Sequence, residues 1–132
     1  MTYLSSHLFL SLSGALFLGL LAMVLHETGH LISSLMVGIK VKGIGLCMKG
    51  MYVIRESGSP AKNLFVSLAG PLMNIALLVL FWHASRTFML ANLCFAFFNL
   101  VPIKGSDGDR ALTCLQQMQE ESAPADSNRR AA

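Results

Sequence analysis

The sequence predicts an all-α integral membrane protein with three transmembrane helices and a short β-hairpin between the first and second. Three observations carry that expectation. The chain is 54% hydrophobic and only 13% charged, whereas soluble domains carry about 25% charged residues. Its 132 residues suffice for one domain, and a globule of that size cannot hide so much apolar surface inside itself. The apolar residues also fall into three long runs, separated by short polar or glycine-rich stretches. Lipid is the solvent that fits this pattern.

The first run extends from Leu8 to Val37, interrupted by a few Ser, Thr and Gly residues and by His26, Glu27 and His30. As one helix it would reach about 45 Å, against a bilayer core of about 30 Å, so it must tilt or project from one surface. A cleaved signal peptide fits poorly. Met1 to His7 contains no Lys or Arg, and the run is too long for an h-region. The segment Gly38 to Lys62 is rich in Gly, Lys and β-branched or aromatic residues. Within it, Val41 to Leu46 and Met51 to Arg55 read as a hairpin around Met48-Lys49-Gly50. The second run, Leu64 to Trp82, is long enough to span, and Pro71 should kink it. The third, Thr87 to Pro102, is slightly short of the usual ~17–25 residues. Lys104-Gly105-Ser106-Asp107-Gly108 follows, so a helix break is expected near Pro102. Residues 1–115 form the expected membrane core, and the polar segment 116–132 is expected to be a disordered cytoplasmic tail.

The net charge of +3 does not point to nucleic acid, because the basic residues are spread thinly between apolar runs. They serve better as a topology signal. Lys40, Lys42, Lys49, Arg55 and Lys62 lie between the first two runs, and Lys104, Arg110, Arg129 and Arg130 follow the third. Only Arg86 lies on the opposite face. The bias predicts a multi-pass protein of the cell membrane, with the N-terminus outside and the C-terminus cytoplasmic. Cys47, Cys94 and Cys114 form no CxxC pair and are odd in number, which argues against a disulfide framework or a cysteine zinc site.

His26-Glu27-Thr28-Gly29-His30 is an HExxH motif. Positions four apart share one face of a helix, so two imidazoles can bind one zinc ion, with Glu27 beside them to accept a proton from water. Helix packing alone is a weak explanation, because an ionisable Glu in lipid costs several kcal/mol and marks function by default. A catalytic zinc takes three protein ligands and keeps one position open. The third ligand must come from Asp107, Asp109, Glu56, His83, Glu120 or Glu121. His83 falls at the outer end of the second span, far from the motif, and Glu56 lies in a surface loop. Asp107 follows a span ending on the correct side, in a glycine-rich turn able to aim it inward, and is the preferred candidate.

Three separated segments resemble the site-2 protease family of intramembrane zinc metalloproteases. His26-Glu27-Thr28-Gly29-His30 matches its zinc motif. Ala69-Gly70-Pro71-Leu72-Met73-Asn74 is similar to its GxxxN element, and Asn99-Leu100-Val101-Pro102 with Asp107-Gly108 resembles its Asn-Pro-Asp-Gly segment. The resemblance covers about residues 15 to 115. It implies that His26, His30 and Asp107 bind one Zn2+, that Glu27 activates water, and that a peptide bond in or near a transmembrane segment of a protein substrate is cleaved. Asn74 and Asn99 match polar residues lining that family's active site. An Asn amide there can hold a substrate carbonyl or a developing oxyanion. For Asn74, interhelical hydrogen bonding beside Gly70 and Ser67 is an equal alternative. Lys104 and Ser106 depart from the family pattern, which often has prolines and an apolar residue before the aspartate. The hairpin could receive an unwound substrate segment as an added strand. The competing expectation is an inactive zinc-binding membrane scaffold. Sequence leaves the oligomeric state open.

Overall fold

The computed structural model describes residues 2–47 and 50–123. The order of elements is α1 (Thr2–Met36), β1 (Val41–Cys47), β2 (Gly50–Arg55), α2 (Pro60–Leu80), α3 (Arg86–Leu100) and α4 (Asp107–Ser122). The mostly helical fold with one antiparallel hairpin between the first two helices agrees with the expectation. The turn at Met48-Lys49 lies outside the described residues.

Local chemistry explains where each element stops. α1 ends in a Schellman turn: Ile39 N–H donates to Ser34 O at 2.8 Å and Gly38 N–H to Leu35 O at 3.1 Å. That turn needs a left-handed residue, and Gly38 supplies it with φ +72°. The chain reverses into β1, which pairs with β2 from Val41↔Arg55 to Cys47↔Gly50, with an irregularity between Val41 and Gly43. α2 begins at Pro60, where a missing N–H costs nothing, and remains helical through Pro71. The Ser85 hydroxyl accepts from Phe88 N–H and opens α3. α3 stops at Leu100, with Val101 extended before Pro102, the conformation favoured for a residue preceding a proline.

α4 corrects the sequence reading. Residues 116–122, expected to be disordered, continue its helix, while 124–132 lie outside the described residues. Asp107 consequently sits in the first turn of a helix instead of in a loose turn.

Two helical stretches, Ser11–Met36 and Pro60–Leu80, are long and apolar enough to cross a membrane. α3, at 15 residues, reaches only about 22 Å and falls below that length. The distribution of side chains is inverted relative to a soluble protein. Leu12, Leu16, Phe17, Leu72, Val79 and Phe97 are exposed, whereas Ser33, Ser34, Ser67, Asn74 and Asn92 are buried. The buried hydroxyls of Ser33 and Ser34 donate to the His30 carbonyl of their own helix, so they add no unpaired donor to the interior. α2 is the central element, packing against α1, α3 and α4.

Candidate metal centre

The four-residue spacing of His26 and His30 sets both rings on the face of α1 that meets α2, and their Nε2 atoms stand 3.2 Å apart. Asp107 reaches the same point from α4. Its Oδ2 is 3.0 Å from His26 Nε2 and 3.1 Å from His30 Nε2. All three residues are at most 6% exposed. Three donor atoms from two distant segments thus form a nearly equilateral triangle.

The other ring atoms fix what those nitrogens present. His30 Nδ1 donates to the Val66 carbonyl at 2.7 Å, an acceptor that cannot donate. His26 Nδ1 donates to Asn74 Oδ1. The Asn74 Nδ2 group donates in turn to Ala22 O at 3.3 Å and Asn92 Oδ1 at 2.8 Å. In neutral imidazoles both Nε2 atoms therefore carry lone pairs aimed at each other and at a carboxylate oxygen. Converging lone pairs repel unless a cation lies between them. Bridging by protons alone would leave two buried imidazolium groups against one carboxylate, a costly excess of charge.

The donor set fits zinc. Tetrahedral zinc with bonds of about 2.0–2.1 Å separates its ligand atoms by about 3.3 Å, close to the 3.0–3.2 Å found here. Two imidazoles and one carboxylate, each ring braced through its second nitrogen, are typical of such sites.

Neighbouring residues explain how the helices come so close. A Cβ on Gly70 would stand 2.7 Å from His26 Nε2 and closer still to His30 Nε2. Only glycine lets the α2 backbone lie against the two rings. Gly29 does the same on α1, where a Cβ would meet Ala69 O at 2.8 Å. Ser106 is the N-cap of α4: its hydroxyl accepts from Asp109 N–H at 3.1 Å and donates to Val101 O at 2.8 Å. Asp109 Oδ2 accepts from Gly105 N–H at 2.9 Å. This reciprocal cap ties the helix start to the end of α3 and so fixes Asp107. Ser106 thus has a clear local task.

Glu27 is half-buried beside the triangle. Its carboxylate and the two imidazoles offer atoms within 4.8 Å of one another, and Glu27 faces Val53 of β2 across the same cleft. A cleft of about 380 Å³ opens over the site, lined by Glu27, Tyr52 and Val53 of β2, Phe95, Asn99 and Arg110. β2 thus forms one wall of the cleft.

No protein-family model matches the chain, and neither does any curated protein. The assignment of chemistry accordingly rests on the residues themselves.

The structure brings His26, Glu27, His30 and Asp107 together, as the sequence led us to expect. Asn99 is half-buried on the cleft wall, its amide donating to Phe95 O at 2.9 Å. Of the two alternatives for Asn74, interhelical hydrogen bonding is the one the geometry displays. Asn74 is fully buried, and its carbonyl and both amide hydrogens are committed to His26, Ala22 and Asn92. It cannot meet a substrate, and its part is to hold the His26 ring. The rejected candidates stand apart: Glu56 pairs with Lys42 at 3.4 Å, and His83, Glu120 and Glu121 are exposed. Sequence reasoning missed Asn92 and the steric need for Gly70. Asn92 is a polar residue in the apolar run Leu90–Phe98, which was the available signal.

Proposed function

We propose that this chain is an intramembrane zinc metalloendopeptidase of the site-2 protease type, cleaving peptide bonds in or near transmembrane segments of membrane-tethered proteins. The observation that carries the reading is the triangle of His26, His30 and Asp107 donor atoms at 3.0–3.2 Å, with Glu27 beside it in an open cleft. A zinc carrier has no need of that fourth group. The inverted distribution of side chains and the two long apolar helices support placing the centre in a bilayer, with α3 as a third, shorter span. His26 then lies about 15 Å along α1 from Met36.

Zinc bound there would polarise the scissile carbonyl and acidify a water molecule. Glu27 accepts a proton from that water and delivers it to the leaving amine, so that the broken C–N bond yields a carboxylate and an amine. β2 offers backbone groups along the cleft to an extended substrate, and Asn99 stands where it can meet a substrate backbone. The cleft polarity supplied by Arg55, Lys104 and Arg110 favours entry of water from the side on which α4 lies.

Metal analysis of purified protein should give about one zinc per chain, and Asp107→Ala should lower this sharply, because one of three protein ligands is lost. Protein reconstituted in lipid should cleave a transmembrane substrate, lose that activity to a zinc chelator and regain it with zinc. Full zinc retention by Asp107→Ala, with loss instead in Glu56→Ala, would overturn the ligand assignment.

The proposed topology is separately testable. Single cysteines at Ser57 and Ser85 should label from the cytoplasmic and external faces respectively, following the nine-to-one bias of Lys and Arg. A cysteine at Ser5 should label with the external set. External labelling at Ser57 would contradict the three-span arrangement.

A further inference from the structure

Asn92 belongs to no motif and does not line the cleft over the site, yet it is completely buried at the meeting of three helices. Its Nδ2 donates to Phe88 O, one turn earlier in α3, at 2.8 Å. Its Oδ1 accepts from Asn74 Nδ2 at 2.8 Å. Asn74 Oδ1 accepts from His26 Nδ1, and His26 Nε2 faces the triangle. The direction of each bond in this chain is determined at one end by a backbone carbonyl, which can only accept. Reversing the Asn92 amide would set N–H against N–H at Asn74 and two oxygens against each other at Phe88.

We propose that Asn92 is a positioning residue of the metal centre, orienting the Asn74 amide so that His26 keeps its proton on Nδ1 and presents a bare Nε2. The inference rests on reading the triangle as a metal site. The carbonyl of Ala22 also accepts from Asn74, but at 3.3 Å it is the longer bond. Asn92 is therefore the stronger constraint on the amide. It also links the ring orientation to α3, which contributes no donor to the triangle.

The test is zinc affinity of the purified full chain, measured by competition with a chromophoric chelator, together with the visible spectrum of the cobalt-substituted protein. Asn92→Leu removes both hydrogen bonds at similar volume. It should weaken zinc by about 10–100-fold, the usual effect of losing a partner behind a ligand, and should shift the cobalt bands while helical content is unchanged. Asn92→Asp, neutral when buried, retains one donor and one acceptor and should restore the affinity to near the wild-type value. Asn92→Ser can bond to the Phe88 carbonyl of its own helix but is too short for Asn74. It should weaken zinc as Leu does, and it decides the matter if the Leu variant does not fold. Wild-type affinity and an unchanged cobalt spectrum in Asn92→Ser, with loss in Asn74→Leu, would overturn the role of Asn92 alone. A wild-type chain that takes up no zinc would overturn the metal reading itself.

Discussion

Gly70→Ala should abolish high-affinity zinc binding although the substitution adds a single methyl group to a helix that otherwise favours alanine. In most helix interiors the change from glycine stabilises by roughly 0.5–1 kcal/mol. Here the added Cβ would sit 2.7 Å from His26 Nε2 and nearer to His30 Nε2, where ordinary contact requires about 3.5–4.0 Å. Either both rings turn away from Asp107 or α2 moves off α1, and the hydrogen bonds that tie Asn74 to Ala22 and His26 resist the second course. We expect zinc affinity to fall by about 100-fold or more, the upper end of what a disturbed supporting residue costs. Gly19→Ala is the control, since nothing lies within 4 Å of its Cβ. It should bind zinc as wild type does. Equal zinc affinity in Gly70→Ala, Gly19→Ala and wild type would mean that the rings do not hold the metal in this arrangement.

The effect of that glycine shows what the sequence could and could not reveal. Local signals were legible. The hairpin announced itself through Gly and β-branched or aromatic residues around Met48-Lys49-Gly50, and the end of α3 through Val101-Pro102. The pair His26 and His30 was legible because a ligand spacing of four is also a helix period. Asp107 could be chosen because the bias of Lys and Arg predicted the same side for it as for the inner end of the first run.

What remained hidden depends on how helices meet. The reason for Gly70 lies 40 residues away, in the rings of His30 and His26, and nothing within α2 expresses it. Asn74 looked equally suited to substrate binding and to packing, because composition does not say which way an amide points. Its three partners come from α1 and α3. α4 was overlooked for a different reason. Its exposed residues Gln116, Gln117, Glu120 and Glu121 make the average composition polar, and the buried stripe of Ala111 and Cys114 is too narrow to dominate that average. The capping pair Ser106 and Asp109 was the signal that could have revealed the helix.

Glu27→Gln should separate a protease from a zinc-binding scaffold. Glutamine preserves the size of Glu27 and keeps an oxygen able to accept a hydrogen bond, but its amide cannot serve as a proton acceptor in the reaction. The triangle of His26, His30 and Asp107 does not use Glu27 as its third corner, so zinc content and folding should match wild type. Cleavage of a transmembrane substrate should fall by about 10²–10⁴-fold, the range for loss of a general base. The substrate should carry a helix-destabilising residue in its membrane segment, because a peptide bond inside an intact helix is shielded by its own hydrogen bonds and cannot extend along β2. Undiminished cleavage by Glu27→Gln would place the chemistry elsewhere. If wild type and variant both hold zinc and neither cleaves any such substrate across varied lipid compositions, the scaffold reading is the correct one. A drop in zinc content alongside activity would instead make Glu27 a ligand, requiring its carboxylate to displace Asp107 from the third corner of the site.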